Sequence, residues 1–308
     1  MVTASAPGKL ILMGEHAVVF GQPAIALAID LRLICTIVPS ASFSVNGEPL
    51  SDRQHSYVLA ALRIAWDSSP VSIQINSGLP SGSGLGSSAA VTVATLAALS
   101  GLNGDYEEEV VARNGFEVES VVQGRASPID TSTCTHGRGI LIGNSPGPDL
   151  LWHIEKDERE WYVHNCEVPE MDIVVGYTGI IGRTGPLVAK VKRFADRSRF
   201  GMEIIEEIGQ LTTEGLRMLR TGDKVGLGEL MTRNQKLLAI LGVSSPALNK
   251  LIRASLPHSY GAKLTGAGGG GSMIALTDRP ADVCEAIRKR GGVPYVVRTG
   301  ARGVTLSD

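Results

Sequence analysis

The sequence predicts an α+β protein of two units that share a cleft. The first third of the chain is strand-rich with helices inserted, and the last third returns from helices to a sheet with helices on one face. Glycine reaches 37 residues but is not spread evenly: it gathers at 82–86 and 266–271, each cluster embedded between well-patterned segments, which marks shaped loops and not linkers.

Taken in order, strands are expected at residues 4–12, 24–29, 32–38, 43–45 and 71–76, with turn residues such as Asn46-Gly47 between them. Val58, Leu59, Leu62 and Ala65 give 55–66 a helical spacing, and a small-residue helix is expected at 87–99, directly after the first glycine cluster. A third helix, 105–123, is expected with Asp105 as its cap, followed by irregular structure or strand up to Asp130. Beyond about Trp161 come a buried strand at 172–177 and helices near 185–195, 202–220, 225–241 and 245–254, the second with an apolar stripe through Ile204, Ile205, Ile208, Leu211 and Leu219. A strand at 272–276, a helix at 281–290 and a strand at 294–298 complete the second unit. The boundary is placed between Trp152 and Glu170, giving units 1–160 and 161–308.

Composition removes several functions. With 29 Lys and Arg against 31 Asp and Glu, the net charge of -2 gives no footprint for nucleic acid or an anionic membrane surface. Cys35, Cys134, Cys166 and Cys284 are scattered without a CxxC pair, which argues against a zinc site and a disulfide framework and suits a reducing, cytoplasmic setting. The start lacks the basic and apolar regions of a signal peptide, and no stretch approaches the length of a membrane span.

Pro80-Ser81-Gly82-Ser83-Gly84-Leu85-Gly86-Ser87-Ser88-Ala89-Ala90 combines close-spaced glycines, hydroxyls and an immediate helix start. Glycines let the backbone approach phosphate oxygens, while free N–H groups and the positive end of the helix dipole supply the attraction. A serine at the helix start can also give an oxygen to Mg²⁺. A purely structural turn needs one or two glycines, and this one has three. It is not a Walker A loop, since no Gly-Lys-Ser/Thr follows, nor a dinucleotide fingerprint.

This loop resembles the ATP loop of the GHMP kinase superfamily, and two further motifs are similar to that superfamily's: Ala6-Pro7-Gly8-Lys9 followed by Gly14-Glu15-His16-Ala17-Val18-Val19-Phe20-Gly21, and Lys263-Leu264-Thr265-Gly266-Ala267-Gly268-Gly269-Gly270-Gly271. Glu-His-Ala-Val-Val, the spacing from Glu119 to Ser127-Pro128-Ile129-Asp130, and Thr184 followed by Leu187-Val188-Ala189-Lys190-Val191 resemble the mevalonate kinase family within it. One departure is Pro128, where many members carry glycine. The fold implied is an N-terminal domain like ribosomal protein S5 and a C-terminal ferredoxin-like domain, with the active site between them.

The resemblance implies transfer of the ATP γ-phosphoryl group to the C5 hydroxyl of mevalonate, with ATP and Mg²⁺ as cofactors and a homodimer as the assembly. It assigns Asp130 as general base, with Lys9 pairing with it, and Ser88 and Glu119 as magnesium ligands. Periodicity alone does not choose between Glu117 and Glu119, which flank one apolar stripe. Lys9, Glu15, His16, Ser127, Asp130 and Thr184 are implied on the substrate side, with Gly266, Ala267, Gly268 and Gly269 supporting the site from the other unit. His16 reads nearly as well as a histidine satisfied by backbone, and small hydroxyl residues in loops such as Ser127 and Thr184 are more often local caps. Two alternatives stand: another superfamily kinase, such as a phosphomevalonate or sugar kinase, an option that Lys190, Lys192 and Arg193 keep open, and a non-catalytic nucleotide sensor.

Overall fold

The computed structural model describes residues 1–66, 69–124, 126–182 and 184–307, with backbone alone at 184. The first unit carries β1 (Val2–Met13), β2 (Ala24–Pro39), β3 (Ser44–Val45), β4 (Glu48–Pro49), α1 (Ser56–Ala65), β5 (Val71–Ser77), α2 (Ser87–Asn103), α3 (Glu108–Gln123), α4 (Ile129–His136), β6 (Gly139–Gly143), β7 (Leu150–Lys156) and β8 (Arg159–Asn165). The second carries β9 (Asp172–Tyr177), α5 (Thr184–Arg197), α6 (Arg199–Thr221), α7 (Lys224–Ile240), α8 (Pro246–Ser255), β10 (Gly261–Leu264), β11 (Ser272–Leu276), α9 (Pro280–Lys289) and β12 (Val293–Arg298), before β13 (Thr305–Ser307).

The first sheet runs β4-β3-β5-β2-β6-β8-β7, with β1 paired to both β2 and β13. Where two strands were expected at 24–29 and 32–38, β2 is continuous: β1 pairs along its length, while its other edge meets β6 at residues 24–27 and β5 at 33–39. The pairing jumps from Pro7↔Arg32 to Gly8↔Ile29, so Asp30 and Leu31 bulge out without ending the strand. That bulge lies beside Gly8 and Lys9 of β1, where the Lys9 N–H meets the glycine loop at Leu85 O.

Ala and Thr make α2 buried on nearly every side, from Ala89 through Leu99, because small side chains let it lie close against β1 and β2. The cap expected at Asp105 is not formed: α3 starts at Glu108 from an extended Glu107 with no side-chain cap, and Glu108 and Glu109 place acids in its first turn. The segment before Asp130, expected to be irregular or strand, instead starts a helix. Pro128, with φ −72° and no N–H to satisfy, stands at the N-cap of α4 and puts Asp130 in its first turn.

The second sheet is antiparallel in the order β10-β11-β9-β12. Ile204, Ile205, Ile208, Leu211 and Leu219 are buried along α6, as their spacing predicts. Ser198, Asp223 and Ser245 cap α6, α7 and α8 by accepting from Gly201, Gly226 and Leu248 N–H. The division expected at 160/161 falls inside β8, whose partners β6 and β7 belong to the first sheet. The C-terminal segment also returns there: β13 pairs with β1, and the Arg32 guanidinium donates to the carbonyls of Ser5, Arg302 and Gly303. All four cysteines are free and buried. No helix among the described residues is long and apolar enough to cross a membrane.

Candidate active site

A cleft of about 1230 Å³ lies between the units, walled by the first glycine loop, the ends of β1, α3 and α4, and the second glycine cluster. Gly82, Gly84 and Gly86 adopt φ of 69°, 81° and 81°. Gly86 is the N-cap of α2, and no side chain caps that helix, so its first N–H groups are left to face an anion. Ser83 Oγ closes the loop by donating to Pro80 O at 2.7 Å. Ser81, Gly82, Gly84, Gly86, Ser87 and Ser88 line the cleft, whereas Leu85, Ala89 and Ala90 are buried in the core and hold the loop in place.

β1 delivers Lys9 beneath this loop. Its N–H donates to Leu85 O at 2.9 Å, its Nζ lies 3.3 Å from Gly84 O, and the lysine is only 3% exposed. A Cβ on Gly86 would stand 2.7 Å from Lys9 Cγ, so glycine is required there twice over, by φ and by space. Lys9 Nζ pairs with Asp130 Oδ2 at 2.9 Å, while Asp130 Oδ1 is buried with no partner among the described residues.

The structure separates the two acids of α3. Glu117 turns outward to Lys156 at 2.6 Å, and Glu119 turns inward, 3% exposed and lining the cleft. Glu119 Oε1 is buried without a partner among the described residues, and burial, followed by the charge of Asp130, pushes its pKa up to about 8 against a partial opposing pull from Lys9. A carboxylate held this way lacks a cation, which is the property wanted in a ligand for Mg²⁺. Ser88, on the first turn of α2, lines the same cleft.

His16, with φ 62°, lies between the units: its Nε2 meets Ala267 O at 3.0 Å, and burial lowers its pKa. A neutral ring that donates from Nε2 presents Nδ1 as an acceptor, and Nδ1 is buried with no partner among the described residues. Glu15, expected on the substrate side, lines the cleft, and its carboxylate is engaged there. It forms an ion pair with Lys263 and accepts from Asn234 Nδ2 at 3.3 Å, so its carboxylate is committed to the second unit. Thr265 Oγ1 both accepts from Ile11 N and donates to Ile11 O, at 2.9 and 3.0 Å, stitching the second glycine cluster to β1. Gly266, Ala267 and Gly268 line the cleft, and Gly269 N–H donates to Val243 O at 2.7 Å. Ser127 lines the cleft half-buried, and the Thr184 side chain lies outside the described residues.

Sequence reasoning missed Tyr57 and the partner role of Lys263. Tyr57 lines the cleft, accepts from Gln123 Nε2 at 3.1 Å, and has its pKa raised by burial and then by Glu119. Nothing in the helical spacing of α1 distinguishes it from a surface aromatic. Lys263 was visible only as part of a motif, since a fully buried lysine needs its partner named before its role is evident.

Fold and site together define a small-molecule kinase of two domains, with a glycine loop and a helix start on one wall and a lysine–aspartate pair beneath them. The GHMP kinases N terminal domain pattern matches residues 55–138, and the GHMP kinases C terminal pattern matches 216–292. The mevalonate kinase of Thermococcus sibiricus is 38% identical over 100% of this chain and 98% of its own. A crystal structure of the Methanococcus jannaschii mevalonate kinase superposes with a TM-score of 0.80 at 28% identity, covering 97% of this chain and 98% of that one. The L. major mevalonate kinase in complex with R-mevalonate gives a TM-score of 0.80 at 25% identity, covering 97% and 96%. This chain belongs to the mevalonate kinase family of the GHMP kinases.

Proposed function

We propose that this protein transfers the γ-phosphoryl group of ATP to the C5 hydroxyl of (R)-mevalonate, giving 5-phosphomevalonate and ADP, with Mg²⁺ held by Ser88 and Glu119. The observation that carries the reading is the pair of buried Lys9 with half-buried Asp130 directly below the glycine loop. Phosphoryl transfer depends on positioning and charge neutralisation more than on covalent chemistry. The α2 N-terminus and the loop amides would hold the nucleotide phosphates. Asp130, through its unpartnered Oδ1, would accept the proton of the attacking hydroxyl, while Lys9 keeps the carboxylate oriented and stabilises the alkoxide as it develops. His16 Nδ1 would accept from a second hydroxyl of the acceptor and fix its orientation. Bound Mg²⁺ supplies neutralisation of the phosphate oxygens.

Of the cations that keep a phosphorylated acceptor open, two are already engaged. Lys190 donates to Gly242 O at 2.8 Å, and Lys192, which lines the cleft, is paired with Asp196 at 3.0 Å. The test is ADP release by the purified protein with Mg-ATP and mevalonate, 5-phosphomevalonate, galactose or homoserine. Turnover selective for mevalonate is the expected result. Selective turnover of another acceptor would overturn the assignment of the acceptor, and retained ATP binding without any turnover would favour a nucleotide sensor.

A further inference from the structure

A second cavity, of about 450 Å³, lies on the C-terminal unit and shares no lining residue with the cleft. Pro246, Asn249, Lys250, Arg253 and Ala254 of α8 line it together with Arg290 at the C-cap of α9. Its charged residues are three cations, and no carboxylate lines it. None of the three belongs to an ion pair among the described residues, although Arg279 and Lys289 of the same region pair with Asp282 and Glu285. In a chain with a net charge of -2, three unpaired cations around one small groove form a local field of opposite sign to the whole.

Helix dipoles explain part of this arrangement. Arg253 and Arg290 sit at the C-terminal ends of α8 and α9, where cations are favoured. Lys250 is the fifth residue of the ten in α8, outside the last turn, and the dipole gives no reason for it.

The orientation of Asn249 supplies an independent observation. Leu264 N–H donates to Gln235 Oε1 at 2.9 Å, which fixes the amide of Gln235 and turns its Nε2 toward Ser244 Oγ at 2.9 Å and Asn249 Oδ1 at 3.5 Å. Ser244 Oγ in turn donates to Asn249 Oδ1 at 2.7 Å. With its oxygen drawn inward by both donors, Asn249 is left with its NH₂ group for the groove, and that group has no partner among the described residues. The backbone of β10 thus dictates that every polar group offered by the lining side chains is a donor.

We propose that this groove is a second anion site, taking a small molecule that presents two linked phosphoryl groups. A donor-only lining selects an anion, and two arginines match phosphate oxygens in their fork geometry. A single phosphoryl group carries about −1.5 to −2 at neutral pH, fewer charges than three cations neutralise. The compact volume favours a small ligand over a nucleic-acid backbone, whose binding needs cations spread over many phosphates.

The test is calorimetric titration of the full chain with inorganic pyrophosphate, without divalent metal and with saturating ADP to occupy the glycine loop. One equivalent is expected to bind to the wild type, with affinity that weakens as salt rises. The variant Lys250→Ala/Arg253→Ala/Arg290→Ala is expected to lose at least about tenfold in affinity while its kinase turnover stays at the wild-type level, which shows that it is folded. Asn249→Leu is expected to lose less. Absence of binding in the ADP-saturated wild type, or unchanged binding in the triple variant, would overturn the proposal. So would binding of a short DNA duplex that the triple variant loses, with no binding of pyrophosphate.

Discussion

Lys9 Nζ stands 2.9 Å from one oxygen of Asp130 and leaves the other oxygen buried and without a partner among the described residues. The pair is therefore directional, with the lysine holding one oxygen of the carboxylate from the loop side, and the proposed role of Oδ1 as acceptor of the hydroxyl proton can be tested. Asp130→Ala is expected to lower kcat by about 10²- to 10⁴-fold, the range for loss of a positioned general base, with ATP affinity nearly unchanged. Steady-state kinetics and nucleotide titration check this. Turnover close to wild type would remove Asp130 from its role.

Glu119 makes a prediction in pH. Its pKa in the folded protein, about 8, lies above the ordinary 4.5 because burial, and then the charge of Asp130, disfavours ionisation. Between those values the folded state holds a proton that the unfolded state has released. The metal-free protein should therefore lose stability as pH rises through that window, the reverse of a salt-bridged carboxylate. Glu119→Gln should flatten the slope, and it should also raise the Mg²⁺ concentration needed for half-maximal turnover. Urea unfolding across the pH range and a magnesium titration of the rate are the measurements, and a wild-type-like magnesium titration would count against Glu119 as a ligand.

The parts of this site that are local in sequence were legible, and the parts that depend on distant partners were not. The glycine loop and the start of α2 follow from adjacent residues, as does the apolar stripe of α6, so local chemistry was enough. Glu117 and Glu119 sit on either flank of one stripe, and what separates them is Lys156, which arrives from β7 to take Glu117. The continuity of β2 was hidden because Asp30 reads as a strand end, and the bulge that absorbs it is a property of pairing with β1. The resemblance put Glu15 on the substrate side, but its pairing with Lys263, 248 residues away in sequence, was not visible from local residues. The helix at Asp130 was missed because Pro128 reads as a breaker, when in fact it stands at the N-cap.

Gly86 tests whether the loop and the lysine form one unit. Its φ of 81° costs a non-glycine residue about 1–2 kcal/mol, and a Cβ would press on Lys9 Cγ at 2.7 Å. Gly86→Ala should reduce kcat/KM for ATP and mevalonate together, since moving Lys9 disturbs both the cradle and Asp130. Gly104→Ala, at a φ of 80° but with open space around its Cβ, is the control for backbone strain alone. Equal losses of activity in the two variants would show that the contact with Lys9 has no consequence.

The ion pair of Lys263 with Glu15 is almost without solvent, at 0% and 1% side-chain exposure, and it joins β10 of the second unit to the loop after β1. Burial lowers the pKa of the lysine, and Glu15 opposes that shift. Removing one partner strands the other charge, so Lys263→Met should cost about 3–5 kcal/mol in urea unfolding. Lys263→Met/Glu15→Gln, which leaves no buried charge, should recover much of that stability. Activity should not recover with it. The loop holding His16 would remain detached from Ala267 and the second glycine cluster, and KM for mevalonate should stay raised in the double variant while KM for ATP changes less. Restoration of both stability and mevalonate KM would mean that the pair only offsets its own burial and does not position His16.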